Sequence, residues 1–279
     1  MISEFPLFMF TLLAGAAAGA YLPRAIFEKA KAAPTKTIPS GHAEKAEGSP
    51  SRSDSSKNAW VFPLICLAII AVGVICVIFH VQHPERVMNA INNPGASLTQ
   101  EGIFSGILGL LILVDLIYVL VKKTEAPRGL IIVTAIVGVA FIVVMAHAYV
   151  TCWGNRLWAQ PATWALFIAG DLALGWALYE AVFNRADSPA IAWVNVALQM
   201  LAACSFAWEA ATFANGDFQA AAFVAAALFA ACAAVVQVAG IIRKQSKPSS
   251  AIAWGVLILS LIGVVIARYA FYAVGLYLI

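Results

Sequence analysis

An all-α integral membrane protein of eight transmembrane helices is the fold class the sequence predicts, and three observations carry that prediction. First, 62% of the 279 residues are hydrophobic, 11% are charged and the mean hydropathy is +0.88, whereas a soluble domain carries roughly 25% charged residues. Second, the apolar residues gather into runs of about 20, the length a helix needs to cross a bilayer. Third, the alternation of a β-barrel strand is absent, and in lipid only a helix or a closed barrel satisfies its own backbone. The expected organisation is one eight-helix membrane domain over residues 1–279.

The first span, 5–26, has the flanks of a retained helix. Positive charge (Arg24, Lys29, Lys31) follows the apolar run instead of preceding it as in a signal peptide. Residues 27–58, including "KAAPTKTIPSGHAEKAEGSPSRSDSSKN", are rich in Ser, Pro, Lys and Ala, the composition of a disordered linker, with a docking segment as the alternative. Span two, 59–80, ends on His80. Span three, 102–121, follows "GASLTQEG", read as a helix start with Ser97 as N-cap and Gln100 as its capping-box partner, so that Glu101 sits in the first turn. Spans four to six are expected at 129–150, 161–183 and 189–213. Span seven, 218–241, is rich in small residues suited to close packing in lipid, and span eight covers 251–275.

Orientation follows from Lys and Arg. The odd-numbered connections hold Arg24 and six further basic residues, then Lys122, Lys123 and Arg128, then Arg185, then Arg243, Lys244 and Lys247. The even-numbered ones hold only Arg86 and Arg156. Odd connections are therefore expected in the cytoplasm and both termini on the periplasmic side. The net charge of +3 reflects this inward bias and does not argue for nucleic acid.

Five cysteines are scattered singly without a C-x-x-C pair, so no iron–sulfur or zinc site is expected in this chain. Four are read as packing residues and Cys152 as the exposed one. No phosphate-cradling loop or Ser/His/Asp set is evident. Chemistry must come from ionisable groups at membrane depth: His80, Glu101, Asp115, His147, Asp171, Glu180, Glu209 and Arg268. Placed on alternating spans, His80, Glu101, His147, Glu209 and Arg268 converge on the outer leaflet, with Tyr272 one turn beyond Arg268 on the same helical face. Each has a structural alternative. His80 can rest in the headgroups, Glu101 can serve the helix dipole, and the others can form internal ion pairs. Asp115 and Asp171 lie nearer mid-membrane, as partnered glue or as a proton path, and Glu180 lies close enough to the inner end to be surface.

The stretch "FHVQHPERVMNAINNPGASLTQEGIFSG" (79–106) resembles the segment joining the second and third helices of the dimethyl sulfoxide reductase membrane anchor subunits. "SEFPLFMFTLLAGAAAGAYL", "FAWEAAT" (206–212) and "ARYAFYAVG" (267–275) are similar to that family's N-terminal, sixth-helix and last-helix patterns. The resemblance implies a quinol-oxidising anchor, with menaquinol as donor and no haem or iron–sulfur cluster of its own, in the inner membrane of a bacterium. It implies two partners, a ferredoxin-like subunit with four iron–sulfur clusters and a molybdopterin catalytic subunit. It places His80 and Glu101 in the quinol site. The long first connection and His147, where an Arg is expected, depart from the family pattern.

The residue types fit that chemistry. A neutral His can accept a proton near neutral pH, Glu101 can relay it outward, Arg268 can hold the pocket's negative charge or orient a quinone oxygen, and Trp153, Trp158, Trp164 and Tyr149 wall the ring or form an interfacial belt. Two other classes compete. A haem-bearing cytochrome b subunit would use His80 and His147 as axial ligands, and a transporter would line its path with Asp115, Asp171, Glu209 and Arg268.

Overall fold

The computed structural model describes residues 5–27, 59–80, 92–183, 189–214, 218–243 and 250–273; for His80, Pro189, Phe218 and Gln219 only the backbone is described. Within these residues lie eight helices: α1 (Phe5–Phe27), α2 (Val61–His80), α3 (Ser97–Lys122), α4 (Arg128–Val150), α5 (Pro161–Phe183), α6 (Pro189–Thr212), α7 (Phe218–Ile242) and α8 (Ser250–Ala273). All eight are long and apolar enough to cross a membrane, and no strand occurs among the described residues. The expected linker falls in 28–58, outside the described residues.

The helix boundaries have local causes. Prolines open α5 and α6 and immediately precede α4, where a missing N–H costs nothing. Lys123 closes α3 in the left-handed region (φ 53°) and donates its N–H to the Val119 carbonyl. The start of α3 differs from expectation. Ser97 is helical, not capping, because Ala96 donates to the Asn93 carbonyl at 3.1 Å and takes the extended N-cap position. Ala96 has no side chain with which to cap, and Glu101 falls beyond the first turn.

Neighbouring helices divide into two rings of four. Helix α1 packs on α2 and α4, and α3 packs on both of those; α5 packs on α6 and α8, and α7 packs on both of those. The rings meet where α5 lies against α1 and α4. We call the end where α1 begins and α8 finishes proximal, and the opposite end distal.

Glycines let α1 and α5 approach. A Cβ on Gly19 would lie 2.3 Å from the Asp171 carbonyl oxygen, and one on Gly175 would lie 2.3 Å from the Gly19 carbonyl carbon. Only Gly fits so close a backbone crossing. One apolar core runs through all eight helices, from Phe10 and Phe62 to Phe223 and Phe271. The outer faces are also apolar, with Leu110, Val121, Ile136, Leu228 and Val235 exposed. An apolar exterior around buried polar side chains is how a bundle solvated by lipid is built.

Candidate functional site

Arg268 is wholly buried on α8, a little over one turn from its proximal end. Its Nη2 donates to Asp171 Oδ1 on α5 at 2.7 Å, and its Cζ stacks 3.4 Å from the centroid of Phe167 one turn away. The pair depends on α1, since a Cβ on Gly15 would meet the Asp171 carboxylate at 2.4 Å. Asp171 therefore reaches Arg268 through space that Gly15 leaves open. The guanidinium still has Nε and Nη1 without an acceptor among the described residues. Buried donors of this kind are rare without a partner.

Aromatic groups surround this ion pair on the proximal side. Tyr149 of α4 stacks on Phe167, and Trp158, in the connection before α5, stacks on Phe271. The Trp158 indole donates to the Phe271 carbonyl at 2.9 Å, which ties that connection to α8. The Tyr272 hydroxyl donates to the Tyr149 hydroxyl at 2.6 Å and shares a 3.0 Å hydrogen bond with Thr11 of α1. Glu101, at the proximal end of α3, is 3% exposed. It senses Arg268, Tyr149 and Tyr272 through space but makes no hydrogen bond among the described residues.

Of the residues expected together from the sequence, Arg268 and Tyr272 lie one turn apart on α8, Asp171 joins them as the partner of Arg268, and Glu101 is near enough to feel the charge of Arg268 without touching it. His80 ends α2 on the same side, but its side chain lies outside the described part of the structure. His147 is not with them. It is exposed, its ring 5.8 Å from that of Trp164, because two residues along a helix turn it to the face opposite Tyr149. Glu209 stands apart on α6, wholly buried, its Oε1 3.2 Å from Thr163 Oγ1, whose single proton is shared with the Trp158 carbonyl at 2.9 Å. Trp153 is exposed, whereas Trp164 is half-buried.

Asp115 belongs to the distal half. Arg24 binds it there, and Tyr21 donates to the same carboxylate at 2.7 Å. Arg24, assigned by its position to the first connection, is therefore an interior residue of α1. Glu180 is buried rather than at the surface, because Asn195 and Gln237 approach it from α6 and α7. Cys152 is half-buried, while Cys204 and Cys232 are the exposed cysteines. Sequence reasoning missed Thr11, Phe167 and the amides of α6 and α7. Only the amides carried a signal, as rare polar residues inside apolar spans.

A family model described as "DMSO reductase anchor subunit (DmsC)" matches residues 51–274. The C subunit of the anaerobic dimethyl sulfoxide reductase of Haemophilus influenzae is 27% identical over 186 residues, or 63% of the present sequence. The match spans only 58% of that relative's length.

Proposed function

The chain belongs to the DMSO reductase anchor subunit family, a family of membrane anchors, and on that premise we propose that it binds and oxidises menaquinol at its proximal, periplasmic end and passes the electrons to an iron–sulfur partner. The observation that carries this reading is the pair of unaccepted donors on buried Arg268, with the buried Glu101 carboxylate close enough to feel the charge of that guanidinium. A quinol supplies two electrons and two protons on oxidation. Arg268 Nε and Nη1 are placed to hold an oxygen of the ring, fixed by Asp171 and by the face of Phe167. Glu101 and His80 are the proton acceptors, and Tyr149 donates a further hydrogen bond to the bound ring. The tyrosines and Trp158 exclude water and match an aromatic ring. The catalytic partner bears the molybdopterin, the intermediate partner bears four iron–sulfur clusters, and dimethyl sulfoxide is the acceptor suggested by the relative's name. The complex resides in a bacterial inner membrane.

The test compares two donors on membranes with normal subunit levels. His80→Leu keeps bulk and helix propensity but removes the acceptor, so quinol-dependent turnover is lost. Turnover with an artificial donor that feeds the partners directly is retained. Glu101→Gln gives a partial loss. Quinol turnover unchanged in His80→Leu would overturn the site.

A further inference from the structure

A second polar cluster, in the distal half of the α5–α8 ring, has no part in the quinol chemistry. Glu180 of α5, Asn195 and Gln199 of α6 and Gln237 of α7 are all at least nine-tenths buried. Asn195 Nδ2 and Gln237 Nε2 both donate to Glu180 Oε2, at 3.0 and 2.9 Å. Gln199 Nε2 donates to the Ala173 carbonyl and to Asn195 Oδ1, each at 3.1 Å. The indole of Trp176, which borders the Glu180 carboxylate, donates to the Ile191 carbonyl at 3.2 Å.

These bonds fix which end of each amide is oxygen. Rotating Gln199 or Gln237 would set an amide oxygen against an existing acceptor. The oxygens that remain are Glu180 Oε1, Gln199 Oε1 and Gln237 Oε1, each buried and without a hydrogen-bond partner among the described residues. One network therefore ends in three acceptors from three helices, one of them on a carboxylate.

The surplus specifies the ligand. A water molecule has two hydrogens and serves two of the three oxygens, leaving the third and the carboxylate charge unmet. A cation takes lone pairs only and carries the positive charge that the carboxylate lacks. Carboxylate and amide oxygens are hard ligands, unsuited to soft transition metals, and a single carboxylate balances a single positive charge at membrane depth. We propose that Glu180, Gln199 and Gln237 form a binding site for one alkali-metal cation of the sodium class, which ties α5, α6 and α7 together.

The test uses the purified full chain in detergent and reads its melting temperature as NaCl replaces choline chloride at constant ionic strength and pH. A cation that binds only the folded state gives a saturable upward shift of a few degrees. Glu180→Gln abolishes the shift, and Gln237→Leu weakens its concentration dependence. If Glu180→Gln does not fold, the wild-type titration and Gln237→Leu decide. A melting temperature indifferent to the exchange, as when a proton on Glu180 takes the cation's place, overturns the proposal. So does a sodium-dependent shift that survives both substitutions. Quinol turnover enters neither measurement, so the two readings fail independently.

Discussion

A guanidinium has five N–H groups in a fixed plane, and Arg268 commits one edge of that plane to Asp171. Buried as they are, Nε and Nη1 need an acceptor or cost about 1–3 kcal/mol each. In the proposed site an oxygen of the bound ring is that acceptor, so the same residue would serve as half of an internal ion pair and as a ligand holder. Lysine in its place keeps the charge for Asp171 but is a point donor that cannot face both ways. Arg268→Lys should therefore assemble at normal levels and hold artificial-donor activity. Its quinol-dependent turnover should fall roughly ten- to hundredfold, the loss of one charge-assisted bond. Equal quinol turnover in Arg268→Lys and wild type would remove Arg268 from the ligand's contacts. Arg268→Gln is a different experiment, because it leaves Asp171 as an uncompensated buried charge at a cost of about 3–5 kcal/mol.

Helices α1 and α5 are the elements on which both rings depend, and their approach is set by backbone against backbone. Gly175→Ala drives a Cβ into the carbonyl carbon of Gly19, which no rotamer change relieves. It should lower unfolding free energy by about 1–3 kcal/mol or prevent folding. A Cβ on Gly106 of α3 has nothing within 4 Å, so Gly106→Ala should be neutral or stabilising by about 0.5–1 kcal/mol. Parallel melting curves of the two variants check this, and similar curves would mean that the α1–α5 crossing is not under steric control. The sequence shows such elements unevenly. Eight apolar runs announce eight helices because bilayer thickness imposes their length, but α3 starts at Ser97 because polar residues continue a helix beyond the apolar run. The inward face is harder to read, since lipid and core are both apolar and a transmembrane helix lacks the polar stripe that marks a soluble one. His147 and Tyr149 lie two residues apart and sit on opposite faces. Which of them meets Tyr272 depends on α8, more than a hundred residues away. Arg268 and Glu101 were legible because a charge inside a span demands an interior position. The partners of Glu180 were not, because they come from two other helices.

At the scale of the whole molecule, charge sorts by depth and by end. Arg24 and Arg268 are neutralised inside by Asp115 and Asp171, so neither contributes to orientation. The positive charges that remain in the connections still favour one end. Lys122, Lys123, Arg128 and Arg243 lie at the distal end of the described residues, against Arg156 at the proximal end. Basic residues near helix ends are retained on the cytoplasmic side, so the distal end should face the cytoplasm. Reporter fusions after Lys123 and Lys244 should then read cytoplasm, and one after Asn93 should read periplasm. The outcome decides more than topology. Glu101, Arg268 and Tyr272 lie toward the proximal end, so under the proposed function the Asn93 fusion would report the side on which protons from a bound quinol leave and on which an iron–sulfur partner would dock to receive its electrons. A cytoplasmic Asn93 fusion would keep the geometry of the site intact but send both protons and electrons to the opposite compartment.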